Sequence, residues 1–251
     1  MKNILLILCI VLAVAYACDK GSGDPGSNSN MEGGGSTGTG GSLARFTIAG
    51  NHLFTVDNQK LKSFGLENET QPVYLSETNA GFNIETIFAR GNTLFLGSQS
   101  GMYIYDISNP SDPNQLCYYQ HIYSCDPVVA DSNYAYVTLS TTSRCGRNVN
   151  ELQIIDIKDL SKPYFLKSYP MTQPQGLGID NRELFVCDDG LKIYDASDVK
   201  NLRLKYKFSI PAIDVIPMNN LLMVLADNGL YQYHYENGQV TLLSKLLTNN
   251  Q

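Results

Sequence analysis

The sequence predicts an all-β protein: a five-bladed β-propeller of four-stranded antiparallel blades, behind a signal peptide and a flexible tether. Three observations predict it. A short figure recurs, in which a glycine turn feeds an alternating strand, the strand ends at an aspartate, and a proline-rich corner follows. It is clearest from Gly101 to Pro113, and it returns from Leu152 to Pro163 and from Gly190 to Asp198. Worn copies run from Leu61 to Asn68 and from Gly229 to Tyr235, which sets the period at roughly 40 residues. Apolar and polar residues alternate with the period of two that marks a strand. The turns between these strands are too short to hold a crossover helix, which excludes parallel βαβ units.

The elements follow in order. In the first unit Phe46 and Ile48 mark one strand, Leu53 to Val56 a second, Leu61 to Leu66 a third and Pro72 to Leu75 a fourth. Gly50-Asn51 and Asp57 to Lys60 turn the chain between them. The second unit repeats the order with Ile84 to Ala89, Thr93 to Leu96, Met102 to Ile107 and Gln115 to His121. Asn109-Pro110 and Asp112-Pro113 make its corner, where a missing backbone donor is tolerated outside the ladder. The third unit has Val128 to Ala130, Tyr134 to Leu139, Leu152 to Ile157 and Tyr164 to Tyr169, with a long insertion from Ser140 to Asn150. The fourth has Gly176 to Ile179, Glu183 to Cys187, Leu191 to Ala196 and Leu204 to Phe208. The fifth has Ala212 to Ile216, Leu221 to Leu225, Leu230 to Tyr235 and Val240 to Leu246. A lone sheet of this size is unstable, so each blade must cover its neighbour and the ring is expected to close on itself. An open stack of sheets, or six blades with one degenerate, are the competing architectures.

Ahead of the blades stands a different kind of chain. A basic start, Met1-Lys2-Asn3, precedes an apolar run from Ile4 to Val14 that is too short for a permanent membrane span and reads as a secretion signal. Asp19 to Ser42 is glycine, serine, asparagine and threonine with almost nothing apolar. Such a stretch gains too little from burial to order itself and acts as a tether. The expected division is therefore residues 1–17 as signal peptide, 18–42 as modified cysteine and tether, and 43–251 as propeller. The 251-residue chain has a formal net charge of -6 and no basic run longer than a pair, so it presents no electrostatic footprint for nucleic acid.

Two resemblances add to this reading. Ala15-Tyr16-Ala17-Cys18 resembles the lipobox of bacterial lipoproteins, which implies a lipid-modified Cys18 at the mature N-terminus and a membrane anchor. Together with the Gly/Ser-rich start it is similar to outer-membrane lipoproteins of the Bacteroidota. Tyr103-Ile104-Tyr105-Asp106-Ile107-Ser108-Asn109-Pro110 resembles the LVIVD repeat of bacterial surface and secreted proteins, with Ile154-Ile155-Asp156-Ile157 as a second copy. Ile193-Tyr194-Asp195-Ala196 keeps the aspartate and loses the proline. That resemblance implies a β-propeller and says almost nothing of biochemistry.

Asp106, Asp156 and Asp195 occupy the same point of three different units. They are read as acceptors for backbone N–H groups at the strand-to-corner turn, not as a catalytic cluster. His52, His121 and His234 lie in different units with no short paired spacing, and no Gly-x-Ser-x-Gly elbow appears, so neither a metal nor a catalytic residue is expected. Cys187-Asp188-Asp189-Gly190 and Ala226-Asp227-Asn228-Gly229 are read as turns rather than calcium loops. No cofactor is expected.

Function is expected on one end of the ring, where the loops from second to third strands meet those leading into each next blade. Tyr123, Asp126, Arg144, Arg147, Asn148, Gln173, Gln175, Asp188 and Asp189 fall there. Arginine, tyrosine, amides and carboxylates on a rigid scaffold suit polar recognition of a protein or glycan. An exported protein permits disulfides, and Cys125 with Cys145 is the expected pair, pinning the insertion; Cys117 and Cys187 are read as buried thiols. The expectation is a lipid-anchored, monomeric binding module at the outer membrane, periplasmic or surface-facing, without catalysis. The alternatives are a propeller enzyme acting on an extracellular polysaccharide or lactone, and a structural envelope component.

Overall fold

The computed structural model describes residues 41–120, 127–140, 149–236 and 238–248. They form twenty strands in five antiparallel sheets, each of four strands consecutive in sequence. The first blade is β1 (Phe46–Ala49), β2 (His52–Val56), β3 (Lys60–Gly65) and β4 (Val73–Asn79). The second is β5 (Ile84–Arg90), β6 (Thr93–Ser98), β7 (Gly101–Asp106) and β8 (Asn114–Gln120). The third is β9 (Val128–Ala130), β10 (Tyr134–Leu139), β11 (Glu151–Asp156) and β12 (Tyr164–Pro170). The fourth is β13 (Pro174–Asp180), β14 (Glu183–Asp188), β15 (Leu191–Asp195) and β16 (Arg203–Phe208). The fifth is β17 (Ala212–Met218), β18 (Leu221–Ala226), β19 (Gly229–Glu236) and β20 (Gln239–Leu247).

One irregularity recurs in every blade. The register between third and fourth strands shifts at the same place, between Ser63 and Phe64, Ile104 and Tyr105, Ile154 and Ile155, Ile193 and Tyr194, and Gln232 and Tyr233. The extra residue in the fourth strand bends that strand and increases its twist. A repeated bulge is structural evidence that the five units are copies of one design.

Packing between blades follows from the period of two. In β6, Leu94 and Leu96 enter the seam with the first blade, while Phe95 enters the seam with the third. In β14, Leu184 and Val186 face the third blade while Phe185 and Cys187 face the fifth. Strands covered on both faces therefore read as unbroken apolar runs.

The two terminal blades differ. Phe54 and Val56 of β2 are buried against the second blade, while Leu53 and Thr55, which alternate with them, are half-buried. Leu222 and Val224 of β18 are buried against the fourth blade, while Leu225 is 50% exposed. Among the described residues, no hydrophobic cluster joins the first blade to the fifth, and no strand of one packs extensively on a strand of the other. The ring is expected to close with each blade covering its neighbour; among the described residues four seams have apolar cores, and the one between first and fifth blades does not.

That fifth seam is crossed at the axis by the chain ahead of β1. Gly41 and Ser42 are buried, so two residues ahead of the expected boundary at Leu43 also pack into the fold. The Ser42 hydroxyl donates to Asp214 Oδ1 at 2.9 Å and accepts from the Leu177 amide at 2.8 Å. The Leu43 amide donates to Asp214 Oδ2 at 3.2 Å.

Candidate binding face

The two ends of the propeller are built differently. At the end where third strands run into fourth strands, the corners of the second, third and fourth blades are closed by their own side chains. Asp106 Oδ1 accepts the Ser108 amide at 2.8 Å and its hydroxyl at 2.7 Å. Asp156 Oδ1 accepts the Lys158 amide at 3.1 Å, and Oδ2 accepts the Tyr164 hydroxyl at 3.1 Å. Asp195 Oδ1 accepts the Ser197 amide at 2.9 Å, and Oδ2 accepts Arg203 Nη2 at 2.5 Å. The donors at Ser197 and Arg203 hold the Asp195 carboxyl down to about 2. Each of these is a local turn in which a short carboxylate captures the amide two residues on.

A second turn of the same kind follows in four blades, which the sequence reading missed. Asn68 accepts from Thr70, Asn109 from Ser111, Asp159 from Ser161 and Asp198 from Lys200. The signal was available as an Asn or Asp three residues after the strand-ending position. It was easily read as loop polarity, because Gly65 replaces the aspartate in the first blade.

The opposite end carries polar groups that do not repeat. There the structure brings Gln173, Asp188 and Asp189 together, with Gln175 just inside β13. The Asp188 carboxylate is not available to a ligand. Asp188 is 1% exposed. Its Oδ1 accepts the amides of Thr172 at 2.9 Å and Gln173 at 2.6 Å, and its Oδ2 pairs with Lys192 Nζ at 2.6 Å. It fixes the segment entering the fourth blade onto the turn at the far end of β14. The expectation of Asp188 as an exposed contact is corrected by these bonds. The Lys192 role could have been suspected from its position four residues on.

Asp189 takes the outward place. Its φ of 49° sits in the left-handed region, with Gly190 at 106° after it, and this turns its side chain to solvent. Asp189 Oδ2 pairs with Lys207 Nζ at 2.8 Å, with side-chain exposures of 63% and 43%. The Lys207 ammonium draws the Asp189 carboxyl below its ordinary range. The Gln175 side chain is exposed, while its carbonyl accepts the Thr138 hydroxyl at 2.5 Å and ties β13 to the end of β10. Asn228 sits on the matching turn of the fifth blade and accepts the Tyr231 hydroxyl at 3.1 Å.

Tyr123, Asp126, Arg144, Arg147 and Asn148 lie outside the described residues, as do Cys18, Cys125 and Cys145. Cys117 is disulfide-bonded and fully buried, which corrects its reading as a thiol. Cys187 is free and buried, and burial pushes its thiol well up. Among the described residues no group of three or more His, Cys, Asp or Glu side chains is placed to hold a metal ion. Among the same residues no helix is long and apolar enough to cross a membrane.

Comparison with known proteins agrees with this geometry. The LVIVD repeat family matches residues 84–120, the span of β5 to β8, and residues 124–171, which include the third blade. No curated protein sequence matches the chain. Among solved structures, a functionally unknown protein from Desulfotomaculum acetoxidans is similar with a TM-score of 0.65 at 10% identity, over 87% of this chain and 72% of that one. A protein from Lactobacillus plantarum is similar with a TM-score of 0.60 at 12% identity, over 79% of this chain and 68% of that one. The periplasmic gluconolactonase of Pseudomonas aeruginosa gives 0.58 at 14% identity over the same shares, 79% and 68%. Identities this low speak for shared fold alone. The chain is a five-bladed β-propeller that carries LVIVD repeats in its second and third blades.

Proposed function

We propose that this protein is a binding module of the cell envelope, held by a lipid on Cys18 at the outer membrane, which recognises a protein or glycan through the non-repeating end of its propeller. It acts as a monomer and carries out no catalysis. The observation that carries this reading is the contrast between the two ends. At the corner end, Asp106, Asp156 and Asp195 are occupied by bonds within their own turns. At the other end, Asp189, Lys207 and Gln175 keep polar atoms toward solvent on a scaffold braced by Asp188. β10 ends and β11 begins at that same end, and the sequence between them bears Arg144, Arg147 and Asn148.

The reading is tested with the full chain immobilised on an envelope fraction and on a glycan array. Wild type is compared with a deletion of residues 144–148 and with Asp189→Ala/Lys207→Ala. A partner retained by wild type and lost by both variants supports recognition through this end. The same partners on all three proteins would overturn it. Labelling with an alkyne fatty acid, lost in Cys18→Ser, tests the anchor separately. The enzyme alternative, favoured by the fold of the gluconolactonase, predicts turnover of a lactone by the purified chain.

A further inference from the structure

The binding reading leaves one buried constellation unused. Asp214 lies in β17 and is 8% exposed, and among the described residues no cation pairs with it. Its carboxylate is satisfied by hydrogen-bond donors instead: the Ser42 hydroxyl, the Leu43 amide, and the Val215 amide at 2.9 Å. Two of these three come from the chain ahead of the first blade. The backbone on both sides is glycine because the carboxylate fills the space. A Cβ on either Gly41 or Gly176 would strike the Asp214 side chain. The constellation is therefore a fitted socket for Gly41 to Leu43 and no accident of a loose end.

The path of this short segment is defined. The Ala44 amide donates to the Gly41 carbonyl at 3.0 Å, closing a turn that reverses the chain. The Ala44 carbonyl accepts the Ile87 amide of the second blade at 3.0 Å. The Arg45 carbonyl accepts the Val56 amide at 2.9 Å, and Val56 ends β2 on the non-repeating end. The turn places Gly41 and Ala44 side by side at the axis. The segment touches the second, fourth and fifth blades.

We propose that Gly41, Ser42 and Leu43 are a clasp that holds the seam between first and fifth blades at the axis, and that this clasp makes the N-terminal extension leave the ring at the centre of its binding end. Through Asp214, the Ser42 hydroxyl and the Leu43 amide tie the chain leading into the first blade to the fifth blade. These bonds stand in for the apolar core that the other four seams possess. The consequence for binding rests on the anchor reading of Cys18. Only the 22 residues from Asp19 to Gly40 separate that anchor from Gly41, and the ring is roughly 20 Å thick, from strands of six or seven residues. The binding end is then turned toward the anchoring surface. Its partner is one carried by, or pressed against, that same membrane.

Two measurements on the full chain test the clasp without any partner, so they can fail independently of the binding reading. In the first, amide hydrogen exchange is followed at Leu43 and Leu177. Both should be protected in wild type, and Ser42→Ala should speed both by on the order of tenfold, with β6 and β7 unchanged. Should that variant unfold, Asp214→Asn keeps the shape and removes one acceptor, and Leu43 alone should quicken. Unprotected Leu43 in wild type, or no change in either variant, overturns the clasp. In the second, the photo-crosslinking residue p-benzoylphenylalanine replaces Gly40. Cross-links should map to residues 171–173, 189–190 and 227–228. Cross-links to residues 50–51, 91–92 and 181–182, or none to the ring, overturn the assigned exit.

Discussion

Ser42 donates a hydrogen bond to Asp214 at 2.9 Å across 172 positions of sequence. It links the chain before the first blade to the innermost strand of the last. Burial pushes the Asp214 carboxyl above its ordinary 3.8, against the opposing pull of its donors from Ser42, Leu43 and Val215. The Cys187 thiol is beside it and stays neutral, since burial raises it well above its own ordinary value.

The first prediction concerns pH. A raised folded pKa means that the ring binds this proton more tightly than the unfolded chain does. The stabilisation is complete below the ordinary value of 3.8 and is lost as pH rises through the raised one. Asp214→Asn cannot ionise, so it should gain stability relative to wild type between about pH 4 and about pH 8. Urea unfolding at both pH values checks this, and a constant difference between the proteins would refute it.

Leu222 and Leu225 lie on one strand and face opposite ways. Leu222 is fully buried against the fourth blade, and Leu225 is 50% exposed on the seam without a core. Leu222→Ala should cost about 2–5 kcal/mol through the cavity it leaves. Leu225→Ala should stay within about 0.5 kcal/mol. Equal costs in chemical denaturation would show that the fifth seam is packed like the other four.

Gly190 and Gly50 both sit at positive φ but in different surroundings. Gly190 has φ 106°, and a Cβ there would strike the Phe208 carbonyl; Gly50 has φ 56° with open space around it. Gly190→Ala should cost roughly 3 kcal/mol or more, because strain and a backbone clash add. Gly50→Ala should cost about 1 kcal/mol from conformation alone. Thermal melts of the two variants make the comparison.

Cys187 should resist alkylation in the folded protein, because it is 1% exposed and its thiol is held protonated. Mass spectrometry after brief iodoacetamide treatment should find it unmodified until denaturant is added. Rapid labelling in native buffer would mean that the seam between fourth and fifth blades opens.

Most of the strands and corners were legible in the sequence. Leu191 to Ala196 announces an alternating strand by its own side chains, and Asp195 closes its turn on Ser197, two residues away. Such signals are local, so they survive in a linear reading. The candidate site was half legible. Asp188 and Asp189 are adjacent and chemically alike, and both looked available. One is buried under Thr172, Gln173 and Lys192, while the other turns outward because its φ is positive. Nothing in a pair of neighbouring carboxylates says which will be covered.

The sequence by itself determined the repeat, the four strands of each unit and the chemistry of the corners, because period, turn residue and capture of a nearby amide all act over a few positions. Only the tertiary structure decided which strand faces are covered, since alternation names two faces but cover comes from the neighbouring blade. It also decided that Ser42, read as tether, belongs to the fold. A small hydroxyl in a glycine-rich run carries no local mark of the buried carboxylate it meets, and that carboxylate is supplied by the opposite end of the chain.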